Sequence, residues 1–92
     1  MMGDGTKTAT ASLSSGDYLI IDTAQTYGGN MSYASAQLSY SGSSYSLLRT
    51  EEVTDYGTRV LMHVIKVTAT TTVTATNYGY DYAEGTLLIL KT

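Results

Sequence analysis

Cysteine, proline, tryptophan and phenylalanine are all absent from this 92-residue chain. The lack of cysteine removes disulfides, thiol nucleophiles and every Cys-based zinc site, and leaves the redox compartment open. Charge is scarce as well. The net charge is −3, and the five basic residues are dispersed, so no phosphate-binding patch forms and nucleic acid is not expected as a partner. The opening residues MMGDGTKT hold no apolar stretch and do not read as a signal peptide. No run approaches the ~20 apolar residues of a membrane helix, so no membrane partner is expected. A single histidine, His63, has neither a second histidine nor a cysteine to share a metal with.

Apolar aliphatic residues are also few. Leu, Ile and Val total 18, and eight Ala and four Met add little volume. Nine Tyr supply much of the remaining apolar surface, which argues against disorder. The length sets one domain, expected over residues 6–92 behind a flexible arm at 1–5. A core this thin, with no staple, points to added stability from oligomerisation.

What the chain has in quantity is threonine and serine, sixteen and ten respectively, set among alternating apolar positions. That alternation has the period of a strand with one face buried. Strands are expected near 6–13, 18–22, 32–40, 45–53, 59–67, 72–77 and 86–91. They are separated by turn signals at SSGD (14–17), the Gly28-Gly29 pair, SGSS (41–44), DYG (55–57), 68–71 and a Tyr/Gly loop at 78–85. Seven short strands predict an all-β fold, a jelly-roll-like antiparallel β-sandwich. Its expected core comprises Leu19, Ile21, Leu38, Leu47, Val60, Met62, Val64, Val73, Leu87 and Ile89.

Four segments follow one another in order: GDYLIID (16–22), LSYSGSSYSLLR (38–49), TATTTVTATN (68–77) and EGTLLILK (84–91). Together they resemble the compact jelly-roll modules of tailed-phage structural proteins, which are similar in architecture to the trimeric tumour-necrosis-factor and C1q heads. The resemblance covers residues 16–92 and rests on strand patterns rather than on chemistry. It implies a virion localisation, a homotrimer and contacts with other capsid proteins. This chain is shorter than a C1q-like head, so fewer strands than eight are expected.

Several groups stand out as candidate sites. Tyr78, Tyr80 and Tyr82 alternate with Gly79 and Asp81, Tyr27 precedes Gly28-Gly29, and Tyr56 precedes Gly57. Tyrosine beside small flexible residues is the composition of binding loops, because it offers a broad amphipathic surface at low entropic cost. Tyr27, Tyr56, Tyr78, Tyr80, Asp81 and Tyr82 are therefore read as an interface, with a protein partner ahead of a glycan. Their alternative role is as ordinary core and rim residues. Asp81 and Glu84, with Asn77 before them, carry oxygens suited to calcium, but their spacing matches no calcium loop. Glu51, Glu52 and Asp55 read as a solvated, edge-protecting cluster. Asp17 and Asp22 are a weak carboxylate pair for glycoside hydrolysis, since Asp17 sits where turn chemistry asks for Asp. His63 reads as a hydrogen-bonded structural or interface histidine, with no nucleophile elbow to serve. No cofactor, metal or catalytic residue is assigned. The expected function is that of a non-enzymatic phage virion protein, a capsid decoration or cement subunit. The alternative is a carbohydrate- or receptor-binding module of the tail-fibre-tip kind.

Overall fold

The computed structural model describes residues 5–26, 34–55, 58–79 and 83–92. Seven strands form: β1 (Gly5–Leu13), β2 (Gly16–Thr26), β3 (Ala34–Tyr40), β4 (Tyr45–Asp55), β5 (Thr58–Val67), β6 (Thr71–Gly79) and β7 (Ala83–Lys91). There is no helix among the described residues. Each strand falls on one read from the alternation, extended by a few residues at its ends; residues 32 and 33 of the third lie outside the described residues. Of the expected turns, 14–15, 41–44 and 68–70 connect strands, whereas 16–17, 78–79 and 83–85 belong to β2, β6 and β7; 27–33, 56–57 and 80–82 lie outside the described residues. Gly42, at φ 68, takes the left-handed conformation that closes the β3–β4 connection. Gly16, at φ 151, opens β2, where a Cβ would run into the Lys91 side chain.

All strand pairs are antiparallel, in two sheets of order β1-β6-β3 and β4-β5-β2-β7. Most sheet neighbours are not consecutive in sequence, so the chain passes repeatedly from one sheet to the other. This is the jelly-roll-like β-sandwich expected from the strand pattern. Between the sheets lie Leu13, Tyr18, Ile20, Ile65, Val67 and Val73, with Leu38, Tyr40, Tyr45, Leu87 and Ile89 packed against them.

The core corrects part of the sequence reading. In β2 the buried residues are Tyr18, Ile20, Asp22 and Ala24, so Leu19 and Ile21 point the other way. In β5 they are Leu61, His63, Ile65 and Val67, which turns Val60, Met62 and Val64 outward. Leu47 sits on the edge strand β4 just before a bulge and is exposed. Both strands are apolar on both faces, so alternation could not choose between them. The choice lies with two polar residues that meet partners on the facing sheet. His63 of β5 shares a 2.8 Å hydrogen bond, through Nδ1, with the Tyr40 hydroxyl of β3. Asp22 of β2 accepts from Asn77 of β6. Turning either strand over would strand these groups among apolar neighbours or leave their partners unmatched.

Candidate functional site

The residues singled out in the sequence are placed unevenly. Tyr27, Tyr56, Tyr80, Asp81 and Tyr82 lie outside the described residues. Tyr78 lies near the end of β6, 37% exposed, across from Thr6 of β1 and Ser35 of β3. Glu51 pairs with Arg49 and Glu52 with Arg59, so two of the three acidic residues near the β4 end are neutralised by neighbours. Asp17 is exposed whereas Asp22 is enclosed between the sheets, so the two do not converge on one substrate position. His63 is buried, and loss of solvation lowers its pKa; the same loss pushes the Tyr40 hydroxyl up to about 12. Both groups are thus held neutral near pH 7, in a structural hydrogen bond. Among the described residues no three His, Cys, Asp or Glu side chains come together to hold a metal.

Two features emerge from the packing instead. The first is the outer face of the four-stranded sheet. Its register lines up three rows: Arg49, Val64, Leu19 and Leu90; Glu51, Met62, Ile21 and Leu88; Val53, Val60, Thr23 and Thr86. Eight of these twelve positions are apolar. Leu48 and Val53 are each 62% exposed, and Leu88 and Leu90 nearly half exposed. With rows ~6.8 Å apart and strands ~4.8 Å apart, the eight apolar positions cover roughly 260 Å². The outer face of the other sheet is its opposite in chemistry: Thr8, Thr10 and Ser12, then Thr72, Thr74 and Thr76, then Ser35, Gln37 and Ser39. A chain poor in aliphatic residues has therefore placed many of them where water reaches.

The second feature is a recess of about 200 Å³ at the seam between β1 and β6 on one sheet and β7 on the other. Asp22, at 0% exposure, and Asn77, at 5%, help line it. Asn77 Nδ2 donates to Asp22 Oδ1 at 3.2 Å and to the Thr23 carbonyl at 3.1 Å, which fixes how the amide is oriented. Asp22 Oδ2 and Asn77 Oδ1 are left buried without a partner. Loss of solvation raises the Asp22 pKa to about 6, against the lowering effect of the Asn77 hydrogen bond. Gly85 of β7 makes the arrangement possible, because a Cβ there would collide with the Asn77 side-chain amide and press on the Thr23 carbonyl. The sequence reading had used Asp22 and Asn77 only as members of other groupings. No signal in the sequence joins them, because they meet only across the two sheets.

Comparison with protein-family models, with curated proteins and with solved structures finds no match.

Proposed function

We propose that this chain is a non-enzymatic structural protein of a virion, a capsid decoration or cement subunit that works through protein–protein contacts. The observation that carries the reading is the apolar outer face of the four-stranded sheet. Covering roughly 260 Å² of apolar surface at ~25 cal/mol per Å² is worth about 6 kcal/mol for each copy. Association costs ~4–15 kcal/mol in lost freedom, so the apolar patch alone sits near break-even. A stable interface usually takes ~800 Å² per partner, about three times the apolar patch. The flanking residues Arg49, Glu51, Lys66 and Asp17 extend the surface and are the polar rim such an interface has. Copies packed through this face, as the homotrimer that the phage-module resemblance implies, would cover what the thin core leaves exposed. The Ser/Thr face would remain in water, and the tyrosine group would contact the particle.

Sedimentation of the purified chain across the micromolar range tests the reading. The wild type should associate, and the double variant Val53→Lys, Leu88→Lys should sediment as a folded monomer. Association unchanged by the two lysines would remove the face from the interface. A wild-type monomer that binds glycans would replace assembly with the carbohydrate-binding alternative.

A further inference from the structure

The two sheets are unequal, three strands against four. β3, at the edge of the smaller sheet, packs over β2 and β5, so β4 lies one strand farther out. Its register with β5 sets Leu47, Thr50, Glu52 and Thr54 on the same inward face as Ile65, His63, Leu61 and Arg59. Ile65, His63 and Leu61 are buried, yet residues 46–54 are all exposed, and Leu47 keeps 46% of its surface in water. The cover that β4 lacks is one strand wide.

The wall of this slot is the free edge of β3. Ser41 N donates to the Thr72 carbonyl at 2.9 Å, one step past the Tyr40–Val73 pair. Bonded pairs alternate along an antiparallel ladder, so Ser35, Gln37 and Ser39 bond to β6, while the N–H and C=O groups of Ala36, Leu38 and Tyr40 point into the slot. No charge, proline or bulge on β3 protects that edge. β4, by contrast, carries a bulge between Leu47 and Arg49 and the charges of Arg49, Glu51 and Glu52.

Area and charge select the occupant. The seven residues of β3, at ~3.4 Å each, give a slot about 24 Å long and ~4.8 Å wide, with roughly 110 Å² of floor. A stable pair of domains covers ~800 Å² on each side, so the slot is too small for a docked domain. Pairing with β3 of a second copy is blocked as well, because that copy would bring its own β2 and β5 into the space that β4 fills. Glu52 is the one charged residue among the four floor positions, and Arg59 already pairs with it, so an uncharged segment fits.

We propose that the slot takes a lone extended segment of another polypeptide, uncharged over about seven residues, which adds to β3 as a further strand and covers β4. Its backbone bonds to Ala36, Leu38 and Tyr40, and its apolar side chains pack on Leu47 and the Thr50 methyl. The proposal stands apart from the virion reading; within that reading the segment belongs to a neighbouring particle protein.

The probe is a short peptide of alternating valine and threonine with a lysine at each end, titrated into the full isotope-labelled chain and followed by NMR. The Ala36, Leu38 and Tyr40 amides and the Leu47 methyls should shift saturably, with a Kd below ~1 mM. With peptide at ~10 times Kd, those amides should exchange roughly tenfold more slowly with deuterated water. N-methylation throughout the peptide removes its donors, keeps its side chains and should abolish the shifts. Leu47→Asp, at a position exposed in the free chain, should weaken binding about tenfold or more. The proposal is overturned if no shift appears up to ~10 mM peptide, if the N-methylated peptide binds as well, or if the shifts fall on Leu88 and Leu90 instead. Protection of the three amides that rises with protein concentration in the absence of peptide also overturns it, since a second copy would then fill the slot.

Discussion

Gly85→Ala is the smallest change that tests how the two sheets are joined. A Cβ at this position would overlap the Asn77 side-chain amide and lie 2.8 Å from the Thr23 carbonyl oxygen. That carbonyl belongs to the backbone of a central strand and cannot retreat cheaply, so Asn77 must move. In moving it gives up its hydrogen bonds to Asp22 and Thr23 and leaves two buried acceptors unpaired. Each such loss costs ~1–3 kcal/mol. Reduced freedom of the unfolded chain returns ~0.4–1 kcal/mol. The expected net destabilisation is about 3 kcal/mol, a large share of what a domain of this size has. The informative measurement is a double-mutant cycle by urea unfolding at fixed protein concentration. In an Asn77→Ala background the hydrogen bonds are already gone and only the crowding against Thr23 remains. Gly85→Ala should then cost about 1 kcal/mol, giving a coupling of about 2 kcal/mol between positions eight residues apart in sequence. Equal costs in both backgrounds would refute the argument, since Asn77 would then not be what the missing Cβ makes room for.

Two further predictions follow from burial. Ile65→Ala empties a fully enclosed position and should cost ~3–4 kcal/mol, whereas Val64→Ala on the outward face should cost under ~1 kcal/mol in the dissociated chain; similar losses for both would mean that β5 is turned the other way. Asp22 makes stability pH-dependent. Its folded pKa of about 6 lies above the ordinary 3.8, so its contribution is fully present below about pH 4 and is lost as the pH rises through 6, by about 3 kcal/mol. The difference in urea stability between wild type and Asp22→Asn at pH 4, 5 and 7 isolates this from His63, whose lowered pKa acts in the opposite sense; a difference independent of pH would contradict the assignment.

Much of this fold is written locally. Period-two alternation, the Ser/Gly turns and the Thr-rich edges are properties of neighbouring residues, and they place seven strands without reference to anything distant. The polar cover of β1, β6 and β3 was legible for the same reason, since Thr and Ser alternate there with Ala, Leu and Val. The orientation of β2 and β5 was not. Tyr18–Ile21 and Val60–Val67 offer apolar residues to both faces, and a one-residue change of register exchanges the two sets. Which set faces in depends on Tyr40 and Asn77, which arrive from other strands far along the chain. The recess is tertiary in the same sense, because Asp22 and Asn77 are separated by 55 residues and meet only when the sheets close. The tyrosine grouping at 78–82 could be read from the sequence, yet Tyr78 alone falls within the described residues, on the polar outer face. Local patterning thus determined which residues extend and where the chain turns. Only the packing of one sheet on the other determined which apolar side chains became core, and which were left on the outer face.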